Sequence, residues 1–214
     1  NIIGKRDYVY HNCLYFEKNS MREQVLNEIQ SQLHKANLAG MSLNNIDHHM
    51  GSLYGLQTGR DFLHIVLEAC EKYQLPFRLP RSYAKDHRLP PKLQQLAENR
   101  IAEADSRGIA IIDHLVGLSF EDEKGQEVDY NRAKKEAEAL IRNLQPGITE
   151  WMTHPSLADE ELKTIMGDWN KRRMEYDLLR DDDIRDLLSE QNIQLITWKD
   201  LRDQQRVKEK GTRP

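Results

Sequence analysis

The sequence predicts an α/β fold, in which parallel strands are joined by helices that cross over the sheet. Two observations predict it: short apolar segments alternate with segments of helical period, and the connections between them are short. We count about five strands, fewer than the roughly eight that close a (β/α) barrel. We therefore expect either an open sheet or further strands preceding Asn1. No repeat or boundary divides the chain, so a single domain over residues 1–214 is expected.

The predicted helices follow from the spacing of apolar residues and from start and stop signals. The first begins at Ser20, which forms a capping box with Glu23. Pro90 opens the third helix, because proline is tolerated in a first turn, and Pro146 ends the fourth. A break is expected near Gly167. Helices are predicted over residues 21–36, 58–73, 90–105, 130–144, 158–179 and 182–189.

Strands are predicted where short apolar runs lie between turn residues. The run at residues 109–112, Ile-Ala-Ile-Ile, is typical of a strand buried on both faces of a sheet. The segment 41–47 is short and alternates apolar residues with other types, and prolines bound the extended segment 76–80. The predicted strands are residues 41–47, 76–80, 109–112, 148–153 and 193–197.

Composition and charge restrict the class of protein. Hydrophobic residues make up 38% and charged residues 31% of the chain, which is typical of a soluble globular protein. The apolar runs are too short to cross a membrane, and residues 1–7 lack a signal-peptide core. The net charge of −4 gives no general attraction to nucleic acid. Cys13 and Cys70 lie far apart, so a reduced, cytoplasmic protein is expected. The basic tail after Arg202 is expected to be a solvated end.

Ionisable side chains follow four of the predicted strands, at the carboxyl end of each. In parallel α/β proteins, ligands bind at this end because the loops that leave the strands meet there. We therefore expect the functional site at this edge of the sheet. The residues at these strand ends are Asp47, His48, His49, Arg81, Asp113, His114, Thr153 and His154.

Asp47 and His49 are the first candidate pair. Because they are two residues apart in an extended segment, their side chains are expected to point the same way. Together they can bind a divalent metal, or the carboxylate can orient the imidazole; the alternative is a His-rich surface turn. Met50 and Gly51 follow, and the glycine lets this loop approach a ligand closely or simply permits a turn.

His154 is the second candidate, because Pro155 restricts its backbone to extended geometry and so aims the imidazole. An aimed histidine suits a general acid for a departing amine, and the alternative is a histidine stacked in a loop. Arg78 and Arg81 can hold a sugar hydroxyl or a carboxylate, although a salt bridge to an acidic residue is the simpler interpretation. Asp113 either contacts substrate or caps the next segment.

A further polar stripe lies on the helix predicted after Gly167. Trp169, Arg172 and Glu175 are spaced by three residues and therefore share one side of that helix. We interpret them as residues that pack the helix against the rest of the fold rather than as residues that carry chemistry.

Three segments resemble the YdjC-like carbohydrate deacetylases. Residues 25–51 resemble that family's helix leading into an Asp-Ser/Thr-His strand end, and they finish with Asn-Ile-Asp-His-His-Met-Gly. Residues 149–155, Thr-Glu-Trp-Met-Thr-His-Pro, are similar to its Thr-Glu-(apolar)-Met-x-His-Pro segment. Residues 172–198 resemble its closing helices and last strand. By this resemblance His49 is a metal ligand, and His48 stands in the Ser/Thr place.

The resemblance implies an irregular, TIM-like (β/α) barrel, a divalent metal ion (Mg or Zn), and hydrolysis of an N-acetyl group on a sugar. In the family, an Asp-Asp pair on the opening strand and a Gly-x-His on a later strand supply further ligands and the base, and neither strand end appears in this sequence. We therefore expect the sequence to be the C-terminal two thirds of a longer chain, lacking the first strands of its barrel.

The sequence thus predicts a metal-dependent hydrolase that deacetylates sugars or oligosaccharides. Two alternatives stay open: a carbohydrate-binding or regulatory protein without catalysis, and a barrel hydrolase that acts on another bond, such as a phosphoester. No nucleic-acid or membrane partner is expected, and a homodimer is a further hypothesis. The predicted site residues are His49 as metal ligand, His154 and Asp47 as catalytic residues, and Arg81, Asp113, Met50 and Gly51 as substrate-binding residues.

Overall fold

The computed structural model describes residues 10, 12–121, 125 and 128–212. The chain divides into two compact units, each with a hydrophobic core of its own. The first unit combines Asn1–Asp113 with Ile196–Pro214, and the second unit is His114–Leu195. That the whole chain is one domain stays a prediction. Among the described residues, no helix is both long and apolar enough to span a bilayer.

Helices make up much of both units. They are α1 (Cys13–Asn19), α2 (Arg22–Leu38), α3 (Leu63–Tyr73), α4 (Pro91–Ser106), α5 (Tyr130–Arg142), α6 (Glu160–Ile165), α7 (Trp169–Leu178), α8 (Asp182–Glu190) and α9 (Trp198–Thr212). Helices α2 to α8 lie where the sequence predicts helices, and the expected break near Gly167 separates α6 from α7. Helix α1 was not predicted. It is capped by Asn12, whose side-chain oxygen accepts hydrogen bonds from the N–H groups of Leu14 and Tyr15.

The capping box predicted at Ser20 is wrong, because Ser20 ends α1 instead of starting α2. Its N–H donates to the carbonyl of Phe16 at 2.9 Å, and its carbonyl accepts a 2.6 Å hydrogen bond from Arg60. The Ser20 hydroxyl is buried and has no partner among the described residues. Met21 precedes α2 without a side-chain cap. The Ser20 hydroxyl therefore caps neither α1 nor α2.

Three of the predicted strand segments pair side by side in the first unit. Ile46 forms a parallel bridge with Phe77, and Phe77 forms a second parallel bridge with Ile111. The Ile46 N–H donates to the Pro76 carbonyl at 3.0 Å. Pro76 and Pro80 have no N–H to donate, and the N–H groups that this segment donates to its neighbours are those of Phe77 and Arg78. Phe77 is fully buried, so these bridges pass through the core of the first unit.

Helix α9 contacts the same strand segments of the first unit. Arg202 donates hydrogen bonds to the Leu43 carbonyl at 2.8 Å and to the Asn44 side chain at 3.0 Å. Gln205 accepts a 2.8 Å hydrogen bond from the Ala110 N–H, and both Arg202 and Gln205 are buried. The prediction of a solvated tail after Arg202 is therefore wrong at Gln205, which supplies a polar partner to a backbone group beside the strands, whereas Lys208 is exposed.

The second unit contains a two-stranded parallel sheet, β1 (His114–Val116) and β2 (Thr149–Trp151). Within it, His114 pairs with Thr149. Strand β2 lies inside a predicted strand, whereas β1 was not predicted, because the apolar run that signals a strand ends at Ile112. Strand β1 nevertheless begins two residues after this run, at His114.

The strand predicted over residues 193–197 is wrong: all of these residues are described, and they form no strand. Leu195 is 77% exposed, so the apolar run is not buried. The N–H of Thr197 donates to the side chain of Asp200 at 2.8 Å, and α9 begins at the next residue. The segment is a link into a helix, because a capping signal lies at its end.

Helices and parallel strand pairs agree with the predicted α/β class. The pairing is parallel in both units, as crossover helices require. The irregular TIM-like barrel stays a prediction.

Candidate functional site

Asp47 lies directly after the bridge between Ile46 and Phe77, at a predicted functional strand end. Its carboxylate forms a salt bridge with Arg78 at 2.7 Å and accepts a 2.6 Å hydrogen bond from the His48 N–H. The side chains of Asp47 and Arg78 are 35% and 19% exposed, so the pair is partly shielded from water. The parallel bridge brings the two residues together, because Arg78 follows Phe77 as Asp47 follows Ile46.

The ring of His48 lies in an aromatic environment. Its centroid is 4.1 Å from that of Tyr54, edge to face, and 5.8 Å from that of Phe77. Burial, with a smaller contribution from the Arg78 charge, lowers the pKa of His48 to about 3, so the imidazole is neutral. Neither ring nitrogen has a hydrogen-bond partner among the described residues. His48 therefore packs as an aromatic residue, which the polar sequence around it does not indicate.

His49 is exposed and begins a 3₁₀ turn, His49–Gly51. Met50 and Gly51 have positive φ angles of 57° and 71°, which glycine adopts readily and methionine rarely adopts. The Met50 carbonyl accepts a 3.2 Å hydrogen bond from the Cys13 thiol. Gly51 thus serves a tight turn, one of the two uses that the sequence allows. That Met50 and Gly51 contact a ligand stays a prediction.

Asp47, His48 and His49 line an open cleft in the first unit, with a volume of about 520 Å³. Residues of α2 form much of the remaining lining, which is mainly apolar. Its other polar residues are Glu28, Gln32, Asn45 and Ser52. Small-molecule sites are typically clefts of about 300–1,000 Å³ with an apolar lining and a few polar groups. The volume of the cleft lies within this range, and its lining combines apolar and polar residues.

The described residues do not complete a metal site at this cleft. Among them, no group of three or more His, Cys, Asp or Glu side chains is placed to hold a metal ion. Zinc sites in proteins use at least about three protein ligands. Asp47 and His49 are donors of suitable chemistry, but the Asp47 carboxylate is already bound by Arg78. These residues alone do not fit a divalent ion, and the role of His49 as a ligand stays a prediction.

Arg81 and Asp113, two predicted substrate-binding residues, lie close together in the first unit. The Nε atom of Arg81 is 3.6 Å from an Asp113 carboxylate oxygen, and its Nη2 is 2.5 Å from Asp105 on α4. The Arg81 N–H also donates to the Ile112 carbonyl at 3.0 Å. These ion pairs connect α4 with a strand end, and they agree with the interpretation of Arg81 as a salt-bridge residue. Substrate binding by Arg81 and Asp113 stays a prediction.

His154 belongs to the second unit, where it follows β2 and is exposed. Its N–H donates a 2.8 Å hydrogen bond to the carboxylate of Glu175 on α7. Glu175 is buried, and this burial raises the pKa of its carboxyl group, while the His154 hydrogen bond acts in the opposite direction. From its spacing with Trp169 and Arg172, Glu175 was predicted only to pack its helix against the rest of the fold. The signal that contained it was the Arg-x-x-Glu-Tyr motif of residues 172–176.

Known proteins match most of the chain. A family model described as YdjC-like protein matches residues 1–190. The chain is 24% identical over 180 residues to a carbohydrate deacetylase of Thermoanaerobacter pseudethanolicus, covering 84% of this chain and 61% of that protein. It is 24% identical over 182 residues to a carbohydrate deacetylase of Brevibacillus brevis, covering 84% of this chain and 62% of that protein. The chain thus spans less than two thirds of the length of these curated relatives.

Proposed function

The chain belongs to the YdjC-like protein family, as its motifs predict, and on that premise we propose that it acts as a carbohydrate deacetylase. The substrate is an N-acetylated sugar or short oligosaccharide, and the bond cleaved is the amide C–N bond of its acetamido group. The names of the two relatives support this reaction class.

The observation that carries the proposal is the cleft beside Asp47 and His49. It is open, about 520 Å³ in volume, and combines apolar side chains with a few polar groups. A pyranose ring has apolar faces and polar edges, so a mixed lining of this kind suits it. The exposed His49 lies at this lining, where its imidazole can contact a bound sugar.

Hydrolysis of an amide requires attack by water on the carbonyl carbon and a proton for the departing nitrogen. The role of His154 as proton donor stays a prediction: its side chain is exposed and its backbone is restricted by Pro155, within the second unit. Asp47 is bound by Arg78 and by the His48 N–H. Its carboxylate can therefore hold in place the segment that carries His49. A base role for Asp47 stays a prediction. A divalent ion (Mg or Zn) would need donors besides the described residues, so no step is assigned to it.

A second candidate function is carbohydrate binding without hydrolysis. Two observations favour it: the described residues lack a group of three metal donors, and the carboxylate of Asp47 is occupied by Arg78. The same cleft would then bind a sugar and release it unchanged.

Acetate release from N-acetylglucosamine and its short oligomers tests the proposal. We expect turnover by the 214-residue chain and a fall in kcat/KM on the order of 100-fold for His49→Ala, because a group that holds or orients reacting atoms is lost. The matched control is His34→Ala. His34 is an exposed histidine of α2 that does not line the cleft, so we expect wild-type activity.

Equal activity of His49→Ala and the wild type contradicts the role of His49. Sugar binding without acetate release, both before and after addition of Mg or Zn, favours the carbohydrate-binding alternative. Acetate release that a chelator abolishes and added Zn restores supports metal dependence.

A further inference from the structure

Helix α7 holds the backbone on both sides of Pro155, within the second unit. The His154 N–H donates to Oε2 of Glu175 at 2.8 Å, and the Ser156 N–H donates to the carbonyl of Arg172 at 3.1 Å. Proline has no N–H, so every N–H of residues 154–156 donates to α7. Arg172 and Glu175 lie about one turn apart on α7.

Glu175 is fixed in place more firmly than a surface carboxylate. It is 7% exposed, and its neighbours on α7, Met174 and Leu178, belong to the hydrophobic core of the second unit. A buried carboxylate is costly unless it accepts hydrogen bonds or faces a positive charge. Burial raises its pKa, the His154 N–H and the charges of His154 and Arg172 lower it, and the charge of Asp168 raises it. Packing alone therefore does not explain why a buried carboxylate lies beside His154.

We propose that Glu175 is a positioning residue for His154: its carboxylate fixes the backbone from which the imidazole projects. This inference rests on the proposed function only where it concerns activity. A general acid must lie within hydrogen-bond reach of the leaving group, and a displacement of about 1 Å can cost on the order of 100-fold in rate. The contact is therefore expected to affect kcat through His154, with little effect on substrate binding.

The first test measures amide hydrogen exchange at His154 by NMR, without substrate. Glu175→Ala removes the acceptor, and we expect the His154 amide to exchange at least about 10-fold faster than in the wild type. Glu175→Gln keeps an oxygen acceptor and is expected to exchange at a rate within about threefold of the wild type. Glu190→Ala, at an exposed glutamate ending α8, is the matched control and should leave this rate unchanged. Unchanged exchange at His154 in Glu175→Ala overturns the proposal.

The second test separates positioning from general stability. Glu175→Ala is expected to lower kcat by roughly 10- to 100-fold and to leave KM within about twofold. In a His154→Ala background the same substitution is expected to cause no further loss, because the two residues act as one unit. An equal loss of kcat with and without His154 contradicts the proposal. If no variant releases acetate, the proposed function fails, and the exchange rates still decide whether Glu175 positions His154.

Discussion

Both histidines that the sequence predicts to be functional follow strand ends, and beside each a carboxylate accepts a hydrogen bond from the backbone. In the first unit Asp47 accepts from the N–H of His48, its neighbour in sequence. In the second unit Glu175 accepts from the N–H of His154, which lies 21 residues away. Asp47 is partly exposed and paired with Arg78, whereas Glu175 is buried.

This difference shows why similar contacts can have unequal consequences. An exposed carboxylate can exchange a protein partner for water at little cost, whereas water replaces the partner of a buried carboxylate less readily. We therefore expect the first unit to depend mainly on its apolar strand contacts. The second unit should depend more strongly on the carboxylate itself.

The largest effect is expected at the apolar centre of the first unit. Phe77 is fully buried and forms both parallel bridges. Phe77→Ala should lower the free energy of unfolding by about 3–5 kcal/mol, through lost burial and the cavity left behind. Urea denaturation measures this. The control is Tyr15→Ala, an aromatic residue of α1 that is 60% exposed, with a change expected within about 1 kcal/mol. Equal losses for the two variants would contradict the central place of Phe77.

A smaller effect separates the two carboxylates. Glu175→Ala leaves the part-buried His154 N–H without its acceptor, and a loss of about 1–3 kcal/mol in unfolding free energy is expected. Asp47→Ala removes a partly exposed ion pair with Arg78, so a loss of only about 0–1 kcal/mol is expected. Urea denaturation of both variants gives the comparison directly. A greater loss for Asp47→Ala would reverse the contrast between the units.

The smallest effect concerns pH, and it has opposite signs for two carboxyl groups of the second unit. Burial raises the pKa of Glu175. Hydrogen bonds from Lys134 and Tyr130 lower the pKa of Asp181 to about 2. The folded state therefore binds the Glu175 proton more tightly than the unfolded state does, and it binds the Asp181 proton less tightly.

Stability contributed by Glu175 is thus present below its ordinary pKa, about 4.3, and is lost as the pH rises above that value. Stability contributed by Asp181 is present above its ordinary pKa and is lost as the pH falls from about 4 to about 2. Relative to the wild type, Glu175→Gln should gain stability as the pH rises, and Asp181→Asn should gain it as the pH falls. Thermal unfolding at a series of pH values measures both. If stability changes with pH in the same way in the wild type, Glu175→Gln and Asp181→Asn, the environments assigned to Glu175 and Asp181 are contradicted.

Local patterns predicted much of the fold. Helical spacing and proline positions placed most helices, and the apolar run at residues 109–112 marked a segment that pairs through Ile111. The same patterns failed at two other places. Ser20 carries a capping signal but accepts a hydrogen bond from Arg60, and the apolar run at residues 193–197 stays outside any strand.

Residue spacing and motifs were enough to predict the family, most helices and the histidines that follow the strand ends. These features depend on neighbours along the chain. Three-dimensional contacts were needed to show that Arg78 reaches Asp47 across a parallel bridge and that Glu175 reaches His154 from α7. The reason is physical: burial and long-range hydrogen bonds depend on which surfaces meet in the folded chain, and the residues beside a given position do not specify that meeting.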